Sequence, residues 1–394
     1  MRSYSMRSKA FSPAAQKLAG ISCASLVAVS TLALSSAYSA QVYNKDGVSF
    51  DIFGSIQAAY VDSDTYKDIA HQENDSNSIY ASGELGISGR SNITHGLDGI
   101  MMAMWEATSN ADGSSPGDLA YTRYMYAGLD AYQYGTLLLG KADNAYYSVA
   151  GVTDIFNVME GHASDYYLLG DQKPASIMYS LRALSWDLKL SYMMTTHELG
   201  DTPLRAQHGM AASLSTKFGK NVTFAYGIDY YHFDFGGDPT NSEKFFAHML
   251  SADGRTYEDA LKKSQAQHVG SKTEYGASLS YGVLGSGLYA ALYAGATKYA
   301  YMNHHIYTVD TALNYAFENG LSFSLGYGLK HYDGIDIVSE LGVGVAYKFT
   351  PAFTVFAEGQ FDLDGEAIKF YGLDMTKNLG LNENKFAFGA EIYF

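Results

Sequence analysis

His304, His305 and His331, with Asp333 and Asp336 close by, are the residues whose types come nearest to a catalytic set. An imidazole beside a carboxylate is the pairing that orients a general base. A hydrolase would also need an activated nucleophile. No G-x-S-x-G segment occurs in the chain, and a linear reading does not show side chains converging from separate strands. The plainer reading is histidines in solvent-facing loops. Consecutive residues point to opposite faces of a strand, so His304-His305 is also a poor two-ligand metal site. Asp62, Asp64, Glu73 and Asp75 gather in one polar stretch. Carboxylates of this kind bind a divalent cation, but too unspecifically to assign a metal. No glycine loop leads from a strand into a helix, so nucleotide binding is unsupported. These residues point to no catalytic group, no metal and no cofactor.

The positioning elements begin after a targeting segment. Arg2, Arg7, Lys9 and Lys17 form a basic start, Leu18 to Leu34 is a small apolar core, and Ala37-Tyr38-Ser39 has cleavage-site spacing. Residues 1–39 are read as a signal peptide and residues 40–394 as the mature domain. Cys23, the single cysteine, lies ahead of most of that apolar core, where a lipoprotein acylation site would follow it. The mature chain then has neither a disulfide framework nor a thiolate metal site. Net charge is −15 for the full chain, and losing four basic residues deepens it. Such an excess disfavours nucleic acid as a partner and suits an acidic pore or surface.

Past the signal, apolar and polar residues alternate with period two, the mark of strands. Leu321, Phe323, Leu325, Tyr327 and Leu329 share one face, and Ser322, Ser324, Gly326, Gly328 and Lys330 the other. Leu341 to Phe349, Trp186 to Tyr192 and Tyr307 to Tyr315 repeat the pattern. Each segment runs about ten residues, the length of a tilted strand crossing a bilayer. Tight links stand at Gly219-Lys220-Asn221, Glu318-Asn319-Gly320 and Thr350-Pro351-Ala352. Long polar loops fall near 63–77, 109–119, 142–173, 236–271 and 365–384, and Thr256 to Gln267 inside one of them reads as a short helix. Counting from Phe50 to Phe394 reaches sixteen strands, an even number as closure requires. Leu137-Leu138-Leu139 breaks the alternation, which suggests a strand covered on both faces.

Several segments, in order, resemble the general trimeric porins of Gram-negative outer membranes. AQVYNKDGVSFDIFG is similar to their opening strand, TRYMYAGLDAYQYGTLLLGK (122–141) to their fourth and fifth strands, and VTDIFNVMEG (152–161) to their constriction-loop motif. KFAFGAEIYF, ending in Ile392 and Phe394 at alternate positions, is similar to the signature read by the outer-membrane assembly machinery.

The resemblance implies an all-β, transmembrane antiparallel barrel of the outer membrane, with short periplasmic turns and long extracellular loops. Its third loop folds into the pore, where acids on the loop face bases on the wall. It implies a homotrimer in contact with lipopolysaccharide and outer-membrane lipid, passing small polar solutes and ions without catalysis. Asp154 matches the family's first constriction acid; the second is Val158 here, and Glu160 is the expected substitute. Lys141 and Lys173 take basic wall positions, whereas Ser55 and Glu84 replace bases. Together with Asp51, Asp187, Asp229, Glu274, Asp310 and Glu358, these changes predict a cation-preferring pore. The other readings are a substrate-specific channel, such as one for sugars, with Phe53, Tyr80, Tyr231 and Phe233 on the polar-face parity, or a barrel enzyme or adhesin.

Overall fold

The computed structural model describes residues 40–63, 77–109, 121–159, 172–194, 204–235, 270–300, 304–363, 369–370, 373–374 and 384–394. A short strand, β1 (Ala40–Lys45), turns through Asp46-Gly47 into β2 (Val48–Ser63). Then follow β3 (Asn77–Thr94), β4 (Leu97–Thr108), β5 (Tyr121–Asp130), β6 (Thr136–Asp143), β7 (Gln172–Ala183) and β8 (Trp186–Met193). The far side is β9 (Leu204–Phe218), β10 (Val222–Phe235), β11 (Gly270–Val283), β12 (Ser286–Tyr299) and β13 (Ile306–Ala316). β14 (Leu321–Tyr332), β15 (Ile335–Thr350) and β16 (Phe353–Asp362) follow, then a two-stranded ladder of β17 (Lys369–Phe370) and β18 (Leu373–Asp374), and last β19 (Lys385–Tyr393).

Each spanning strand pairs antiparallel with the next, and β19 returns to pair with β2, Lys385 opposite Ser63 and Tyr393 opposite Ser55. The result is a closed barrel of sixteen strands. Closure is the physical requirement: backbone amides in hydrocarbon have no water to bond, so no ladder edge is left open. β1 completes the seam. It pairs with β2 from Ala40 opposite Ile52 to Lys45 opposite Val48, in line with β19. Gly54 lies at the join and exchanges two backbone hydrogen bonds with Phe394, each 3.0 Å.

One end of the barrel has the tight links read from the sequence. The other end has long connections, with one exception: β14 and β15 are joined by Asp333-Gly334, whose φ angles of 47° and 88° make a primed hairpin turn. The sixteen spanning strands run from eight to eighteen residues, many longer than the length a bilayer requires, so several continue beyond the apolar band.

Burial is inverted relative to a soluble protein. Ile56, Leu85, Phe224, Tyr226, Ile228, Leu279, Leu292 and Leu325 are among the exposed large apolar residues, while Ser55, Gln57, Glu84, Asp229, Glu274, Asp310, Asn314 and Glu358 are buried. Apolar side chains face lipid and polar ones face the interior, the sidedness that alternation encodes. Leu137 and Leu139 point outward, 39% and 54% exposed, while Leu138 is half-buried; the leucine run thus keeps its alternation. The segment 256–267 and residues 1–39 lie outside the described residues.

Replacing Leu292, midway along β12 on the lipid face, by arginine is expected to destabilise the folded barrel by about 2–4 kcal/mol. Urea unfolding in lipid vesicles reads this; a cost under ~1 kcal/mol would mean that Leu292 does not meet hydrocarbon.

Candidate functional site

Between β6 and β7 the chain turns into the barrel. Residues 144–159 run along the inner wall, forming one helical turn, α1 (Tyr147–Ala150), and a 3-10 turn over Gly151–Thr153. The loop is bonded in turn to β8, β9, β10, β12, β13 and β16. The Asn144 amide donates to Asp229 on β10 at 2.8 Å and to the Tyr231 hydroxyl at 2.6 Å. Ser191 on β8 donates to Asn144 Oδ1 at 3.2 Å, and Ser148 meets Ser213 on β9 at 3.2 Å. The Tyr146 hydroxyl lies 2.6 Å from that of Tyr293 on β12, and Tyr289 donates to the Val152 carbonyl at 2.6 Å. Thr153 donates to Asp310 on β13 at 2.9 Å.

The loop tip is held hardest. Glu358 on β16 accepts from the Asn157 amide at 2.7 Å, the Asn157 side chain at 2.7 Å, Val158 N at 2.9 Å and Met159 N at 3.3 Å. A carboxylate taking several N–H donors is a strong, charge-assisted anchor. Beside it the Phe156 ring fills a cradle of glycines on β14 and β15. A Cβ added at Gly326 or Gly342 would stand 2.8 or 2.9 Å from that ring, so side chains there would displace it. Val158 and Met159 pack with Ala59, Val61, Phe356 and Ala387.

Strands β3 to β5 carry a second charge cluster. Arg123 on β5 is paired with Glu84 on β3, and with Glu106 on β4 at 3.0 Å; all three side chains are buried. Tyr121 donates to Glu106 at 2.5 Å. A buried arginine between two carboxylates offsets charge that neither acid could hold alone. Below it, Phe53, Met102, Met104 and Tyr124 form a buried cluster, with Tyr126 packed against them.

The structure places the residues singled out in the sequence as follows. Asp154 follows the 3-10 turn on the inward loop and accepts from Tyr147 at 3.2 Å. Ser55 and Glu84 are both buried on the inner face, opposite each other in register. Lys141 donates to the Thr122 carbonyl at 2.5 Å. Lys173 lies in β7 opposite Ala142, and nothing further of its side chain is described. Glu160 lies outside the described residues, as do the side chains of Tyr80 and Phe233. His331 meets Asp336 at 2.7 Å and His304 meets Asp333 at 3.3 Å, contacts about the β14–β15 turn.

Two contributors were missed. Arg123 belongs to the Thr-Arg pattern of 122–141, yet its burial next to buried Tyr124 violates strict alternation. It is the extra residue of a β-bulge, because Met104 pairs with Tyr124 and Trp105 with Thr122. Glu358 was read only as one more acid on a polar face; its partners lie two hundred residues away. With Arg123 beside it, Glu84 does not act as an isolated negative charge.

A closed transmembrane barrel with a polar, charged interior and an inward-folded loop is a membrane channel. Residues 23–367 match the Gram-negative porin family, and the chain belongs to that family. It is 26% identical over 376 residues to the outer membrane porin PhoE of Klebsiella oxytoca, spanning 91% of this chain and 95% of that one. It is 24% identical over 363 residues to OmpD of Salmonella typhimurium (strain 14028s / SGSC 2262), spanning 88% and 92%. The fold is similar to a Salmonella typhi OmpF complex with daunomycin, with a TM-score of 0.68 at 14% identity, over 90% of this chain and all of that one. It is also similar to a trimer form of Vibrio cholerae OmpT, with a TM-score of 0.57 at 15% identity, over 89% of this chain and all of that one. The chain is thus an outer-membrane porin, a member of a family of channels rather than of enzymes.

Glu358→Ala removes the acceptor of the loop tip's donors, and amide exchange at 157–159 is expected to accelerate roughly tenfold or more. Unchanged exchange would show that the glycine cradle alone holds the loop. Arg123→Ala leaves two buried carboxylates uncompensated and is expected to cost about 3–5 kcal/mol. In urea unfolding, adding Glu84→Gln and Glu106→Gln to Arg123→Ala should recover part of that loss; no recovery would remove charge compensation as its cause.

Proposed function

We propose that this porin forms a water-filled, cation-preferring pore for passive diffusion of small hydrophilic solutes and ions. The observation that carries the reading is the charge of the inner wall. Among the described residues, the buried ionisable side chains comprise nine acids (Glu84, Asp98, Glu106, Asp229, Glu274, Asp310, Glu340, Glu358, Glu391) against three bases, Arg123, Lys272 and Lys330. A low-dielectric channel lined by one sign of charge concentrates counter-ions of the other. The source of the preference differs from a simple loss of bases at Ser55 and Glu84: with Glu84 paired to Arg123, the excess rests on the β10 to β19 arc.

In this reading Asp154 and Glu160 supply the acids of the constriction and Lys173 a base opposite, with Ser55 and Glu84 on the same wall; Lys141 does not line it, since it stands in register with the outward-facing Met125. The protein acts as a homotrimer, in contact with lipopolysaccharide and outer-membrane lipid through its exposed apolar belt. Ile392 and Phe394, both 48% exposed on alternate positions, suit recognition by the assembly machinery. In this reading residues 1–39 are a cleaved signal peptide and the mature chain begins at Ala40. Single-channel current in planar bilayers under a potassium chloride gradient tests this. Conductance in steps of three and a reversal potential on the potassium side are expected. A chloride-side potential would overturn the cation preference and leave the channel standing.

A further inference from the structure

The outward stripes of β9 and β10 run apolar and then end alike. On β10, Phe224, Tyr226, Ile228 and Tyr230 are followed by His232; on β9, Leu214, Ala212 and Met210 lead to His208. These ends lie towards the long-loop side of the barrel. The two histidines are direct cross-strand partners in the register, although 24 positions separate them in the chain. Both are half-buried, and their rings stack at a centroid distance of 5.5 Å with 26° between planes. His208 also leans on Tyr230, with centroids 6.1 Å apart. Like the terminal tyrosines of the stripe, they sit where the apolar band gives way to the polar rim.

We infer that His208 and His232 form a two-imidazole binding site for a divalent transition-metal ion of the zinc, nickel or copper class on the outer face of the barrel. The spacing carries the inference. A ligating imidazole nitrogen stands about 2.0–2.1 Å from the metal, which puts the ring centre roughly 3.2 Å from it. Two such rings on one ion have centres about 5.2 Å apart at a tetrahedral angle and about 5.5 Å apart at a trigonal one. The observed separation of 5.5 Å falls within that range, and cross-strand pairing sets both side chains on the same face of the sheet. Imidazole is the donor this metal class prefers, and water completes the shell at an interfacial position. The other outer histidines are arranged differently. His331 and His304 meet Asp336 and Asp333, and His305 packs on Tyr275 and Tyr307.

The test is copper(II) titration of the purified full-length barrel in detergent, by calorimetry and electron paramagnetic resonance. A spectrum showing two nitrogen ligands is expected, with affinity falling at least about tenfold in His208→Ala and in His232→Ala. The double variant should bind no more weakly than either single one, because losing one arm ends the chelate. His305→Ala should bind as the parent does. His208→Asn and His232→Asn repeat the measurement with polarity kept, should the alanine variants fold poorly. Parental affinity in either single variant, a one-nitrogen spectrum, or no copper binding would overturn the site. None of these readouts depends on conductance, so the channel reading is tested separately.

Discussion

The rest of this structure follows from the peptide group's need for a hydrogen-bond partner in a medium that offers none. In hydrocarbon an unpaired N–H or C=O costs several kcal/mol. The sheet therefore closes on itself, β19 against β2, and β1 extends the pairing past the join at Gly54. Closure forces alternation, alternation sends every second side chain inward, and the inward set must then be polar enough to hold water. The acids of the inner wall are thus a product of the same constraint that builds the wall.

An inward loop faces the constraint in another form. Its own amides and carbonyls press against the inner wall, which shields them from the lumen, so they are satisfied by wall side chains. Asp229, Asp310 and Glu358 accept from Asn144, Thr153 and the 157–159 turn, while Tyr289 donates to the Val152 carbonyl. Where no polar partner is needed, the wall is cut back to glycine and admits the Phe156 ring. The loop is seated by polar capping at some places and close packing at others.

Alternation is a local signal, and it carried the barrel, the strand count and the turn positions. Read from the sequence, the strand ends at Asp333, and the Asp333-Gly334 pair that a primed turn favours is not counted among the tight links. Arg123 escaped because one inserted residue reverses parity locally, and no pattern of period two registers a bulge before the pairing is known. The partners of Glu358 escaped for a different reason: a hydrogen bond to a main-chain amide leaves no trace in the identity of the donor residue. Glu84 was found, yet its neighbour across the sheet decides its electrostatic role.

The carboxylates that seat the loop are also part of the negative charge of the lumen. Field and aperture therefore share the same atoms in this channel. A substitution that neutralises Glu358 removes one charge from the interior and also unseats the loop tip beside it. Under the proposed function, ion preference and the seating of the loop become coupled variables. Diversification of the throat would be easier on the side away from these anchors, where side chains face the water without holding the loop.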